Sequence, residues 1–275
     1  MTPFLALMRK HLTESRWLLG LTATALFALS WLTVVITSLT EDRVRKSVGG
    51  TRGLRGLAFR GVEGPVRELA SVAFEVAWWN HPFILINILL WAIARGSAAV
   101  ALEIERGTLD MTLSRPVSRS SYLASQVLVG VSGIVLLCSA MVLGNLIAGR
   151  FYRVETPPTL LILARPALNL AALGLAVYGY TLFLSAIDSV RWRPNLVGSV
   201  LTLTGFVLLV IANVPVLEGW KWLGNASIFK AYDPVSAAVT GRDLAFNTSV
   251  LGGIGLAGIA LGFLGFVRRD LPANS

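Results

Sequence analysis

Apolar positions along this chain fall into long blocks separated by short polar stretches, the patterning of a helical membrane protein rather than a soluble domain. A helix that crosses about 30 Å of hydrocarbon at about 1.5 Å per residue needs roughly 20 mostly apolar residues. Six blocks answer to that length: residues 17–39, 78–100, 122–148, 166–187, 196–216 and 249–267. The pattern predicts an all-α, polytopic membrane protein with about six transmembrane helices, forming a single transmembrane domain over residues 1–275. Small residues recur inside the blocks, as in 171–179 and 252–265, where they let neighbouring helices approach closely.

The polar stretches add detail. Thr2 is placed to cap a helix that Pro3 opens, with Phe4, Leu5, Met8 and Leu12 along one face and Arg9 and Lys10 turned away. This predicts an N-terminal amphipathic interfacial helix lying in the headgroup plane before the first span. The block that follows is too long for the core of a signal peptide, and no small-residue cleavage site follows it. It reads as a retained helix. Between the first two blocks, residues 40–77 carry six glycines and seven basic residues, with Leu54, Leu57, Ala58 and Val62 on one side of a weak helix that would dip into the interface.

Composition agrees with this picture: 55% of residues are hydrophobic and 14% charged. The net charge of +9 sits between the blocks, so anionic lipid headgroups are the expected partner and nucleic acid is not. With the termini inside, 10 lysines and arginines fall on the inner side and 13 on the outer, so the count does not orient the chain. The single cysteine, Cys138, excludes an internal disulfide and a cysteine metal cage. His11 and His81 are far apart in sequence, which argues against a histidine metal or proton-relay site. No cofactor, metal ligand set or catalytic group is expected on this chain.

Arg95 is the clearest ionisable residue inside a block, a little over one turn before its end. It either snorkels to the nearer interface or lines a polar path. The run Gly130-Val131-Ser132-Gly133 resembles the nucleophile motif of rhomboid intramembrane proteases, but no histidine follows His81 to activate the serine. Helix packing is the better account of Ser132. There is no G-x-x-x-x-G-K-[ST] phosphate loop, so any ATP would be bound by another chain.

The most distinctive polar stretch is residues 102–122. Glu103 with Arg106, and Arg106 with Asp110, stand at helical spacings, which predicts that the second span continues past the membrane until Pro116 breaks it. Ser118 is then placed to cap the third span, leaving an exposed elbow. The run Glu103, Glu105, Arg106, Gly107, Thr108, Leu109, followed by Leu113, Ser114, Arg115, Pro116, Val117, Ser118 and Arg119, resembles an element of ABC-2 type transporter permeases. The basic amphipathic start, six spans, long first loop, and the partly apolar 220–240 segment with Tyr232, Asp233 and Pro234 are similar to that family too.

The resemblance implies a permease subunit in the plasma membrane, with cytoplasmic termini and a cytoplasmic elbow set against a separate ABC ATPase present in two copies. ATP and Mg would be bound there. A second permease copy or a paralogue would complete the complex, and export is the implied direction. Two other classes stay open: a membrane-anchored scaffold, which would show no nucleotide-dependent change, and an ion-coupled secondary transporter, which would need acidic residues at the bilayer midplane.

Overall fold

A backbone surrounded by lipid must satisfy its own N–H and C=O groups, and a helix does so within one segment. The computed structural model describes residues 3–47, 72–73, 75–114, 116–152, 154 and 157–269. Its helices are α1 (Pro3–Ser47), α2 (Pro82–Ala98), α3 (Ala101–Glu105), α4 (Thr108–Leu113), α5 (Arg119–Phe151), α6 (Leu160–Ile187), α7 (Trp192–Ala212), α8 (Pro234–Val239) and α9 (Leu244–Arg268). Turns of 3-10 helix at Trp78–Asn80, Pro215–Ala226 and Ile228–Ala231 fill connections, and no strand occurs among the described residues. Five helices, α1, α5, α6, α7 and α9, are long and apolar enough to cross a membrane.

The second expected block does not reach that length, and the cause is Pro82. A proline drives the preceding residue into extended backbone; His81 has φ −64° and ψ 133°, and its ring accepts a hydrogen bond from the Phe83 N–H. The helix therefore starts at Pro82 and runs for 17 residues, a rise of about 26 Å.

The separate interfacial helix expected at the N-terminus is not formed. Residues 3–47 make one helix of 45 residues, with neither proline after Pro3 nor any other break, so the amphipathic start and the first span share an axis about 68 Å long. Its inward face is also not the one expected. Leu7, His11, Ser15, Thr22, Leu26 and Ser30 are buried, whereas Leu5 and Leu12 are exposed. The other anticipated feature of the first loop, the Leu54, Leu57, Ala58 and Val62 face, lies outside the described residues.

Packing centres on two intimate pairs, α1 with α5 and α6 with α9, joined through α2. Each pair is made close by glycine. A Cβ at Gly144 on α5 would stand 2.6 Å from the Phe27 carbonyl oxygen on α1, and one at Gly255 on α9 would stand 2.6 Å from that of Leu175 on α6. Gly130 and Gly133 lie against Tyr178 and Trp91, and the Trp91 indole donates to the Gly130 carbonyl at 3.0 Å. The Ser132 hydroxyl donates to the Val129 carbonyl of its own helix. The protease-like run is thus a seat for two aromatic rings. The 220–240 segment is held to the bundle by the Tyr232 hydroxyl, which donates to the Trp79 carbonyl at 3.1 Å, and by Asn169, which bonds both the Ala231 carbonyl and the Asp233 N–H.

Candidate functional site

The polar elbow between α2 and α5 is built in four steps. Val100, at φ −129° and ψ −52°, ends the regular run of α2, and α3 follows for a little over one turn. Gly107 takes φ +66°, the left-handed region that costs a side-chain-bearing residue about 1–2 kcal/mol, and this turns the chain into α4. Pro116 lies beyond α4, and Ser118 caps α5 by accepting the Ser121 N–H at 3.1 Å. The cap was legible in the sequence; the uninterrupted helix to Pro116 was not correct. Because the break at Gly107 divides the stretch, Glu103, Arg106 and Asp110 do not share one helix.

Glu103 pairs instead with Lys10 of α1, whose ammonium stands 3.0 and 3.1 Å from its two carboxylate oxygens. The Thr108 hydroxyl donates to the same carboxylate across the Gly107 turn. Glu103 is buried, and so is Leu109. These two therefore anchor the elbow and face away from any docking partner. Glu105, Arg106, Asp110, Met111 and Pro116 are exposed, with Met111 at 73%, while Gly107, Thr108, Val117 and Arg119 are half-buried.

The elbow is also tied sideways. The Glu105 carboxylate accepts the Arg191 N–H at 2.8 Å, at the N-terminus of α7, where the helix dipole favours negative charge. Arg119 donates to the Arg269 carbonyl at 2.6 Å, beside the end of α9. Arg269 in turn donates to the Asp188 carbonyl at 2.8 Å, just past the end of α6. The segment is thus bonded directly to the start of α7 and to the chain just past α9, which is itself bonded to the chain just past α6.

Behind the elbow lies a polar cluster of which sequence reading singled out Arg95 but not its partners. Arg95 does not snorkel: it is 8% exposed, and its Nη2 donates to the Gln126 side-chain oxygen at 2.7 Å. Gln126 gives its amide hydrogens to His11 Nδ1 at 3.2 Å and the Tyr122 hydroxyl at 3.1 Å. The Tyr122 hydroxyl donates to the Ala99 carbonyl, and the Tyr178 hydroxyl to the Gln126 carbonyl. The overlooked signal was the i, i+4 spacing of Leu7, His11 and Ser15, which continues the buried stripe of α1.

Donor atoms of His11, Glu14 and Glu103 lie within 4.8 Å of one another, a grouping capable of holding a metal ion. The Lys10 ammonium already contacts both carboxylates, 3.0 Å from Glu103 and 3.8 Å from Glu14, and supplies the positive charge a metal would bring. The cluster reads as a structural ion pair.

That pair has a pH signature. Burial disfavours the Glu103 carboxylate, but the hydrogen bonds from Thr108 and Lys10 outweigh it and hold its pKa below the ordinary glutamate value. Its contribution to stability is complete above the unfolded value of about 4.3 and is lost as pH falls from there through the lower folded value. Glu103→Gln should therefore narrow the difference in thermal midpoint between pH 7 and pH 3.5. An unchanged acid response in the variant would show that Glu103 is not held in its charged form.

Compared with protein-family models, with curated proteins and with solved structures, the chain finds no match.

Proposed function

We propose that this chain is the transmembrane permease subunit of an ABC transporter, most simply an exporter, driven by a separate ATP-binding subunit. The observation that carries the reading is the elbow itself: a charged, exposed surface of Glu105, Arg106, Asp110 and Met111, bonded through Glu105 and Arg119 to the α7 N-terminus and the α9 end. A partner that pushes on such a surface moves long helices, whereas a push on an untethered loop is absorbed by the loop. In this reading α2 is the sixth crossing helix, and the termini and elbow are cytoplasmic in a plasma membrane. Two ATPase copies close on ATP and Mg, and the elbows of two permease chains pass the movement to the bundles. Coupling requires that the permease interact differently with the ATP-bound and ATP-free partner.

Topology is the direct test. Ser114 is exposed on the elbow, and Ser114→Cys in a Cys138→Ala background should react in intact cells with a membrane-permeant thiol reagent only. Labelling by an impermeant reagent from outside would invert the orientation and remove the ATPase from this face. The second test is turnover. The purified chain alone should hydrolyse no ATP, since it has no phosphate-binding loop, and hydrolysis that survives removal of all other proteins would end the proposal.

A further inference from the structure

The Arg95 guanidinium is always charged and carries five N–H donors. Among the described residues it makes a single hydrogen bond, to Gln126, and its Nε has no partner although it is buried. No carboxylate among the described residues pairs with it. Glu103 is taken by Lys10 and Thr108, and Glu14 lies against Lys10 and His11.

The surroundings hold this cation in place without a carboxylate of the described residues in direct contact with it. Gln126 spends both amide hydrogens on His11 and Tyr122, so its amide cannot flip and its oxygen must face Arg95. Tyr122 is fixed by the Ala99 carbonyl and stacks edge-on against His11 at 5.6 Å. Because His11 Nδ1 accepts from Gln126, the ring's proton is on Nε2, which is a second buried donor with no acceptor. A buried charge and two buried donors left without acceptors are costly, and natural structures keep such an arrangement where another molecule completes it.

We infer that Arg95 is the anchor of a binding site for an oxyanion of the phosphate class. The planar guanidinium fork suits two oxygens on one centre, which a carboxylate, phosphate or sulfate offers and chloride does not. Arg95 stands in the last turn of α2, next to the elbow, and if α2 crosses the membrane this is the end of the helix nearest the phospholipid headgroups. The same chemistry is offered by an acidic lipid headgroup or by a free phosphate. This inference does not depend on the transporter reading.

The test uses the full chain purified in neutral detergent, with three probes: dioleoylphosphatidylglycerol, dioleoylphosphatidylcholine and inorganic phosphate. Thermal midpoint and retained lipid by native mass spectrometry are the readouts. The phosphatidylglycerol should raise the wild-type midpoint by several degrees and remain bound, the phosphatidylcholine should do neither, and Arg95→Gln should lose the response. Arg95→Lys keeps the charge without the fork and should weaken binding by about tenfold. It also serves if the glutamine variant fails to fold. Arg16→Gln, on the exposed face of α1, should respond as wild type does. A response to inorganic phosphate that Arg95→Lys weakens would place a free anion at the site. Equal responses in wild type and Arg95→Lys, or no response to either anion in wild type, would overturn the assignment.

Discussion

Gly258→Leu should prevent the α6–α9 pair from forming, with a cost of about 3 kcal/mol or more. At this crossing the two backbones meet directly. A Cβ at Gly258 would overlap the Gly179 carbonyl and stand 2.7 Å from the Tyr180 backbone nitrogen, and one at Gly179 would overlap the backbone of Gly255. Side chains can rotate out of the way of a new methyl group, but a helix backbone cannot without moving the whole helix. In a bilayer the loss is not recovered elsewhere, because lipid-exposed leucine is no better off than packed leucine and helix association rests on close contact. Gly253 is the control. It lies on the same helix with nothing within 4 Å of its would-be Cβ, so Gly253→Leu should be neutral within about 0.5 kcal/mol. The monodisperse fraction after extraction and the thermal midpoint measure both. Equal behaviour of the two variants would mean that the close crossing does not contribute to the fold.

This contrast also marks what the sequence could and could not tell. The stretches 171–179 and 252–265 are visibly rich in small residues, and the structure does cross the two helices there. Composition alone does not say which glycines touch. Gly252, Gly253 and Gly258 look alike in the chain, yet only Gly258 faces another backbone. The helices themselves were legible because lipid leaves a backbone few alternatives. The shortening of α2 was legible too, in the His81-Pro82 pair, because the residue before a proline is driven out of helical backbone. The continuity of α1 was written in the lack of any proline between Pro3 and Ser47.

The elbow divides in the same way. Ser118 as a cap follows from local sequence, and so does a turn near Pro116. The partner of Glu103 does not, because Lys10 is 93 residues away and local helical spacing offered Arg106 as the nearer choice. Long-range pairing decides which of the elbow's charges face inward, and that in turn decides which of them a partner can reach. Glu103 and Leu109 belong to the bundle, Glu105 is shared, and Arg106 and Met111 face outward.

Arg106→Glu combined with Met111→Glu is accordingly the change expected to have the largest functional effect. Both side chains are exposed, and neither makes a side-chain hydrogen bond or ion pair with another described residue. Folding should be left within about 0.5 kcal/mol of wild type. At a docking surface the pair reverses one charge and places a second carboxylate where a flexible apolar side chain had been available for burial. Co-purification with the co-expressed ATPase, at equal membrane expression of the permease, should fall by about tenfold or more, roughly 1.4 kcal/mol of binding. Glu103→Gln sets the comparison. It weakens the tie to α1 from the inward side, so it should lower the thermal midpoint while leaving the exposed docking surface intact. A permease that carries both outward glutamates, folds normally and still binds and stimulates its ATPase would show that force enters the bundle somewhere other than this elbow.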